Sequence, residues 1–416
     1  MSGEAGSRDG GVTRRGLIGA GAVGGLALAA GGGFALGKAE AADDPTAGVV
    51  EFYGEHQAGI TTPAQDRLHF AAFDMTSDSV ADLRALLQEW TAAAARMAAG
   101  EPAGAANDDP LLPPDDTGEA IGLGPADLTI TVGFGPSLFD GRFGLRDERP
   151  AQLEPIPLLP SDELDPRISD GDLCVQACAN DPQVAFHAVH NLAKIAQGVA
   201  VMRWCQLGFG RTSRTGAEQE TPRNLMGFKD GTNNILNDDA GALDEFVWVG
   251  PEGPEWMRGG SYLVSRRIRM LIEPWDRTFL QEQENVFGRV KGSGAPIGAD
   301  HEKDEVDLDA TGPDGNPLIP ADSHIRLASP ATNDGEMILR RGYSFTDGFD
   351  FTRGQLDVGL FFICFQKDPR AQFVPIQTRL GRNDRLNEYI LHTGSALFAI
   401  PAGIRAEGDY YGAGLL

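Results

Sequence analysis

The sequence has little positive charge. It contains 35 Lys and Arg against 60 Asp and Glu in 416 residues, a formal net charge of −25, and only six of the basic residues are Lys. A surface with this excess of negative charge repels a phosphate backbone. We therefore expect no nucleic-acid partner.

Cysteine is scarce, and its spacing shows neither a metal site nor a disulfide. The four residues are Cys174, Cys178, Cys205 and Cys364. No pair has C-x-x-C spacing. Cys174 and Cys178 share a strand face but would lie about 13 Å apart at ~3.3 Å per residue, too far for a disulfide. We predict that all four are buried packing residues.

Long apolar runs are absent except near the N-terminus. There Thr13-Arg14-Arg15 precedes a small-residue apolar run to about Leu36, followed by Ala39-Glu40-Ala41. A cationic start, a weakly hydrophobic run and a small-residue site form a cleavable signal, and the paired arginines resemble a twin-arginine signal. The alternative is a membrane anchor, but residues 16–36 are barely long enough to span and include eight glycines. We interpret residues 1–41 as a cleaved signal.

Twin-arginine export carries folded proteins, often with an inserted cofactor. The interpretation predicts contact with the twin-arginine translocation machinery and a periplasmic, cell-envelope or extracellular protein. No other run is long enough to span a bilayer, so no stable span is expected after cleavage. An exported cofactor enzyme is the favoured class.

Several catalytic motifs are also missing. The sequence has no Gly-x-Ser-x-Gly elbow, no P-loop and no GxGxxG opening a βαβ unit. Hydrolase, kinase and dinucleotide-binding functions therefore have no support.

The remaining chain shows two similar runs of strands and helices. Strands are predicted where apolar residues alternate and helices where they follow helical spacing. The predicted segments are a strand over 68–73, a helix over 79–100 capped by Gly100, a strand within 127–139, a strand, turn and helix over 171–196, a strand over 260–272, a helix over 277–288, and a strand, turn and helix over 354–380. "GDL…CANDP" and "GQL…CFQKDP" are faintly duplicated, which predicts two antiparallel α+β sandwiches.

Three places carry residues suited to chemistry. Asp230 lies in "MGFKDGTNN" (226–234), where Asp-Gly and Asn-Asn favour turns. His324 follows a Gly-, Pro- and acid-rich segment (291–323) of a kind that is usually functional. Arg340-Arg341 ends a short apolar strand, from which a charged side chain can enter a cavity. His187 and His190 lie three apart on a predicted helix, which we interpret as one helix face, not half a metal site.

Taken together, the ordered motifs resemble the dye-decolourising-type haem peroxidases, in particular their exported deferrochelatase-like bacterial branch. The motifs are HQAGI (56–60), VGFGPSLF (132–139), GFKDGTNN (227–234), FGRVKGSGAPIG (287–298), DSHIRLA (322–328), LRRGYSF (339–345), GLFFICFQKDPRAQFVPIQ (359–377) and NEYILHTGSALFAIPAG (387–403). The resemblance covers essentially everything after the signal.

The resemblance implies an α+β fold of two ferredoxin-like domains (residues 42–215 and 216–416), with one haem b held mainly by the second. His324 would be the proximal iron ligand, Asp230 the distal acid–base group and Arg340 its partner. The haem would be lined by residues from two segments: Gly231, Thr232 and Asn233, and Ser329, Pro330 and Ala331. Asp384 is our choice of carboxylate for the second nitrogen of the histidine, and Tyr343, Tyr389 and Trp275 are candidate electron-relay residues.

One departure from the family concerns the haem propionates. The family commonly has Asn-Pro-Arg after HIRLA, whereas this sequence has Ser329-Pro330-Ala331. Arg326 and Arg289 are candidate replacements for the missing arginine. The segment from His324 to Arg340 is also slightly shorter than in relatives, which makes Arg341 an alternative to Arg340.

Three functions follow from this sequence. The first is a peroxidase that uses hydrogen peroxide to oxidise dyes, phenols or other bulky organic electron donors. The second is deferrochelatase-type release of iron from haem, and the third is an acidic exported binding protein in which Asp230 is only a turn residue. Assembly into a homo-oligomer is compatible with all three.

Overall fold

Antiparallel strands form the framework of the protein. The computed structural model describes residues 48–105 and 109–416, so the predicted signal (1–41) lies outside the described residues. The strands of the described residues are β1 (Arg67–Met75), β2 (Thr129–Phe134), β3 (Leu173–Ala179), β4 (Ala200–Arg211), β5 (Ser261–Met270), β6 (Leu339–Arg340), β7 (Tyr343–Asp350), β8 (Gln355–Gln366) and β9 (Ile390–Ile400). The helices are α1 (Val80–Ala98), α2 (Pro182–Ile195), α3 (Ala240–Phe246), α4 (Ile272–Trp275), α5 (Leu280–Phe287), α6 (His324–Leu327) and α7 (Phe373–Asn383).

Each half of the chain has the same strand order. In the first half the order is β2-β3-β1-β4, and in the second half it is β7-β8-β5-β9. With β6 and β7 counted as successive parts of one strand on β8, both halves follow the β-α-β-β-α-β order of a ferredoxin-like unit. The predicted α+β class with duplicated antiparallel sheets is confirmed.

The two four-stranded sheets join edge to edge at both sides. Phe134 of β2 pairs with Ala399 of β9, and Phe209 of β4 pairs with Ser344 of β7. Together with the β5–β8 pairing, these contacts close a circuit of eight strands, each of which is paired on both sides. The joined sheet therefore leaves none of these eight strands as a free edge for another chain.

Both faces of β5 are covered. All ten of its residues are buried, including Arg266, Arg267 and Arg269, although apolar and charged residues alternate in its sequence. One face of β5 packs in a core inside the circuit, with Phe70, Phe361 and other apolar residues, and its other face lies under helices and loops. The strand prediction is confirmed.

Most predicted elements are present with small shifts of their ends. α1 begins after Ser79, whose hydroxyl accepts from the backbone N–H of Asp82, and Gly100 follows its end at φ +79°. The strands β4, β7 and β9 were not predicted from the sequence. β9 is buried along most of its length, so it lacks the alternation that marks a half-exposed strand.

The cysteines are all unpaired, but they are not all buried. Cys174, Cys178 and Cys364 are buried, whereas Cys205 is exposed. The prediction is therefore wrong for Cys205. The reason is that the alternate residues of β4, including Val201 and Leu207, face the molecular surface.

No membrane-spanning helix is found in the part of the chain that the structure describes. Within residues 48–105 and 109–416, none of the helices combines the length and the hydropathy needed to cross a bilayer.

A buried ion pair ties the loop before β3 to the sheet of the second half. The Arg266 guanidinium bonds to the Asp162 carboxylate, and both side chains have no exposed surface. Arg266 Nη1 also donates to Ser395 Oγ at 3.1 Å. Burial lowers the pKa of Arg266, and Asp162 acts in the opposite direction. Removing one partner would leave a buried charge without compensation.

We therefore expect Asp162→Ala to lower the free energy of unfolding by about 3–5 kcal/mol. Glu163→Ala is the matched control, because the neighbouring Glu163 forms an exposed pair with Arg353 at 3.3 Å and exposed pairs contribute about 0–1 kcal/mol. Denaturant titration of both variants measures the difference. Equal losses for the two variants would contradict a special role for the buried pair.

Candidate active site

His324 is fixed by a buried carboxylate. It is the first residue of α6, and its ring Nδ1 lies 2.6 Å from Oδ2 of Asp384, at the end of α7. Oδ1 of Asp384 accepts from the backbone N–H of Leu386 at 2.8 Å, which orients the carboxylate. Because a carboxylate accepts, Nδ1 carries the proton and Nε2 keeps its lone pair. The structure thus places Asp384 at the position proposed for it.

The His324 side chain is only partly covered. It keeps 34% of its surface accessible. Burial acts to lower the pKa of His324, but the charge and hydrogen bond of Asp384 raise it overall. Nε2 has no hydrogen-bond partner among the described residues. This is a donor atom suited to a metal.

Asp230 lies on a turn that is stabilised by hydrogen bonds to residues shortly before it in the chain. The backbone N–H of Asp230 donates to the Pro222 carbonyl at 2.9 Å, and the Asn224 amide donates to Asp230 Oδ2 at 3.3 Å. Gly227 and Gly231 have φ of +84° and +81°, a region that favours glycine. The predicted turn is present, and its glycines set the direction of the carboxylate.

Arg340 reaches Asp230 from the end of β6. Its Nη1 donates to Asp230 Oδ1 at 3.1 Å, and its Nη2 donates to the Asn233 carbonyl at 3.0 Å. The side chains of Arg340 and Asp230 are 23% and 22% exposed, so the pair is accessible to a small molecule. His324 lies within electrostatic range of both groups. The structure therefore gathers the three residues that the sequence singled out.

The alternative distal arginine points elsewhere. Arg341 is fully buried, and its guanidinium bonds to the Thr62 carbonyl and to Gln65 Oε1 in the first half of the chain. Successive residues of a strand face opposite sides, so Arg341 cannot share the direction of Arg340. It is therefore not a substitute for Arg340.

The two candidate replacements for the missing propionate arginine differ. Arg326 is committed to backbone carbonyls, with Nη2 at 2.9 Å from the Ile319 carbonyl and also bonded to that of Leu308. Arg289 Nη1 donates to Gly294 and Glu302 carbonyls. Burial lowers the pKa of Arg289, whose guanidinium also senses the charges of Arg340 and Asp230. Arg289 is the arginine beside the site.

The other predicted lining residues fall in two groups. Gly231 is buried, Thr232 is half-buried and Asn233 is exposed, all on the Asp230 turn. Ser329, Pro330 and Ala331 follow α6 directly, and Ser329 Oγ accepts from the Ala331 N–H at 3.3 Å. Ala331 is exposed and contributes no charge.

Apolar side chains from β8 border this region. Arg340 pairs with Cys364 across the strands, so its side chain lies on the same face of the sheet as Leu360 and Phe362. Both apolar side chains are only half-buried although β8 is central. The Phe287 ring centroid lies 6.2 Å from that of His324. Incompletely covered apolar walls beside a free imidazole nitrogen fit a planar apolar cofactor such as haem.

The aromatic relay candidates separate into two places. Trp275 contacts Tyr389 at 4.9 Å and Phe287 at 5.7 Å between ring centroids, which links half-buried Tyr389 to the neighbourhood of His324. Tyr343 is fully buried in the core inside the strand circuit, on the face opposite to Phe362.

The two histidines of the predicted helix, His187 and His190, bond to the carboxylates of Asp116 and Glu119, which lie far in sequence from the aromatic residues named above.

Sequence reasoning missed Asn224, Asn234 and Glu302. Asn224 and Asn234 hold the turn and the Arg340 backbone, and Glu302 bonds to Lys229 and Thr232 of the same turn. Asn234 lay within a quoted motif, but Glu302 lies in an acid-rich segment without periodicity. No local signal distinguishes Glu302 from its acidic neighbours.

Two ferredoxin-like halves with an imidazole–carboxylate pair beside a carboxylate–guanidinium pair define an oxidoreductase of the haem peroxidase class. Family models described as Dyp-type peroxidase, N-terminal and C-terminal, match residues 57–210 and 221–405. The chain belongs to the Dyp-type peroxidase family, whose members bind haem and act on hydrogen peroxide.

Relatives agree in sequence and in structure. A deferrochelatase of Escherichia coli K12 is 41% identical over 373 residues, which cover 88% of this chain and 86% of that protein. A DyP-type peroxidase of Streptomyces coelicolor is 43% identical, with 89% of this chain and 98% of that chain covered and a TM-score of 0.82. DtpA from Streptomyces lividans, in an oxyferrous complex, has the same identity, coverage and TM-score.

Gly231 lies where the turn packs closely against the backbone of Ser213. A Cβ at this position would lie 2.6 Å from the Ser213 Cα, and φ is +81°. We expect Gly231→Ala to lower the free energy of unfolding by about 1–3 kcal/mol through backbone strain and to weaken haem absorbance, because the turn must move. Gly292→Ala, which meets nothing within 4 Å, is the control. Unchanged stability and absorbance of both variants would contradict the fit.

Proposed function

We propose that this peroxidase binds one haem b, mainly through its second half, with His324 as the iron ligand and Asp230 and Arg340 as the groups that act on peroxide. The observation that carries the proposal is the Arg340–Asp230 hydrogen bond of 3.1 Å beside a histidine whose Nδ1 is bonded to Asp384. Asp384 makes the imidazole more electron-donating. Residues 231–233 and 329–331 would complete the lining, with Arg289 nearest to carry the missing positive charge.

Haem supplies the redox-active iron at which hydrogen peroxide is reduced. Cleavage of peroxide to water requires one proton to move from one oxygen to the other. Asp230 is suited to accept that proton and return it, because its carboxylate is partly exposed and fixed by the turn. Arg340 stabilises the negative charge that develops as the O–O bond breaks, and its guanidinium remains protonated.

Substitution of the two groups tests these roles. We expect Asp230→Asn and Arg340→Leu each to lower the rate of reaction with hydrogen peroxide about 10²–10⁴-fold while the haem absorbance of the resting protein is retained. Stopped-flow spectroscopy measures the rate. Asp238→Asn, an exposed carboxylate eight residues from Asp230, is the control and should react as the wild type does. Full reactivity of both site variants would refute the assignment, and an unchanged absorption spectrum for His324→Ala would refute the iron ligand.

Dyes, phenols and other bulky organic compounds are the proposed electron donors. A donor too large to reach Asp230 would pass its electron through Tyr389 and Trp275, whose rings are in contact. We expect Tyr389→Phe to lower turnover of a bulky dye more than turnover of a small phenol, because only the dye depends on the half-buried Tyr389 ring to receive its electron. Equal effects on both donors in steady-state assays would exclude this route.

Release of iron from haem is the second candidate function. It is favoured by the identity of 41% to a protein named deferrochelatase. Incubation of the haem-loaded protein with and without peroxide separates the two functions. Metal-free porphyrin fluorescence together with chelatable iron would support iron release, whereas peroxide-dependent dye oxidation with the haem intact supports the peroxidase.

The export route is proposed on the N-terminal sequence alone. Arg14 and Arg15 precede the apolar run, and residues 1–41 lie outside the described residues. Fractionation of cells that express the full chain and an Arg14→Lys, Arg15→Lys variant tests it. Export of both proteins to the same extent would contradict a twin-arginine route.

A further inference from the structure

Glu302 bonds to both sides of the Asp230 turn. Its Oε1 accepts from Thr232 Oγ1 at 3.1 Å, and its Oε2 accepts from Lys229 Nζ. Lys229 precedes Asp230 directly, and Thr232 follows it by two residues. The Glu302 carboxylate therefore binds the turn on both sides of Asp230.

This contact is sheltered from solvent. The side chains of Glu302 and Lys229 are 15% and 25% exposed, so salt screens the pair less than it screens a surface pair. Burial acts to raise the pKa of Glu302, yet its hydrogen bonds lower it overall, so the carboxylate is ionised at neutral pH.

The segment that carries Glu302 packs along the same turn. We call residues 289–302 the brace. Arg223 Nη1 donates to the Gly227 carbonyl of the turn at 2.8 Å and to the Lys291 carbonyl of the brace at 2.7 Å. Its Nη2 donates to the Gly292 carbonyl at 2.8 Å. One guanidinium thus joins the turn and the brace through three backbone carbonyls.

Two glycines show how closely the brace fits. Gly294 has φ +80°, and a Cβ there would lie 2.8 Å from Lys229 Cδ and 3.4 Å from Glu302 Cγ. A Cβ at Gly227 of the turn would lie 2.9 Å from Lys291 Cε of the brace. The turn and the brace thus pack against each other through the stems of Lys229 and Lys291, in space that a side chain at either glycine would fill.

Glu302 also determines where the Lys229 ammonium lies. A free ammonium on a flexible stem next to Asp230 competes with Arg340 for the Asp230 carboxylate. Bound to Glu302, it forms no hydrogen bond or ion pair with Asp230. The pair therefore leaves the Asp230 Oδ1 bond to Arg340 alone.

We propose that Glu302 is a positioning residue. Its carboxylate binds Lys229 and Thr232 and thereby keeps the Asp230 carboxylate beside the Arg340 guanidinium. The proposal rests on the role of Asp230 in peroxide reduction given above. The acid-rich segment is, in this part, a support of the turn and not a lid over the site.

Exchanging the charges of Glu302 and Lys229 tests whether their ion pair holds the turn. Glu302→Lys and Lys229→Glu each place like charges together, whereas the double variant restores an opposite pair, and its new lysine can still bond to Thr232. Glu305→Gln is the matched control, because Glu305 is an exposed carboxylate in the same segment with no hydrogen bond or ion pair to any described residue.

The first measurement is amide hydrogen exchange of the haem-free protein over residues 226–234. We expect exchange about tenfold faster in each single variant, because a charged hydrogen bond is lost, and a rate within about twofold of wild type in the double variant. This measurement does not depend on haem or on turnover. Wild-type exchange in both single variants would overturn the proposal.

The second measurement is the peroxide reaction of the haem-loaded variants. We expect kcat/KM for peroxide to fall about tenfold in each single variant and to recover in the double variant, with KM for the electron donor unchanged. Faster exchange without any loss in the peroxide step would also overturn the proposal. If the wild type itself fails to react with peroxide, the proposed function is wrong, and the exchange measurement still decides whether Glu302 holds the turn.

Discussion

The side chain of Asn234 joins the parts of the site. Its Oδ1 accepts from the backbone N–H of Arg340 at 2.8 Å, and its Nδ2 donates to the carbonyls of Arg340 and Arg214. A side-chain amide thus takes the place of a neighbouring strand beside β6. The Asp230 turn has no regular secondary structure of its own, so its position relative to the sheet depends on this bond and on the brace. Without the Asn234 hydrogen bonds, the turn that carries the Asp230 carboxylate would lose its attachment to the strand that carries the Arg340 guanidinium.

Charged groups of opposite sign are paired at the site. Glu302 pairs with Lys229, Asp230 pairs with Arg340, and half-buried Arg289 lies within electrostatic range of both pairs. In a chain with a net charge of −25, each cation near the site has a specific partner or a set of carbonyls. Burial alone would raise the pKa of Glu302, but the hydrogen bonds of Lys229 and Thr232 lower it.

The closed circuit of strands fixes the side of the site that β8 forms. β8 is paired along its length with β5, β6 and β7, so the residues that face the site from β8 cannot slip in register. His324 and Asp230 instead lie on short or irregular segments that are fixed by side-chain hydrogen bonds. Function on segments held against a rigid sheet is a common arrangement, since loops tolerate the special backbone angles that a site needs.

The sequence by itself determined the fold class, most of the strands and helices and the family, and it singled out Asp230, His324 and Arg340, because turn chemistry, periodicity and ordered motifs are local signals. It did not determine the burial of both faces of β5, the exposure of Cys205, the inward direction of Arg341 or the grip of Glu302. Those features depend on contacts between residues far apart in the chain, such as 60 residues for His324 and Asp384 and 73 for Lys229 and Glu302. Only the tertiary fold brings such residues together, and a contact across that separation leaves no pattern in the sequence around either partner.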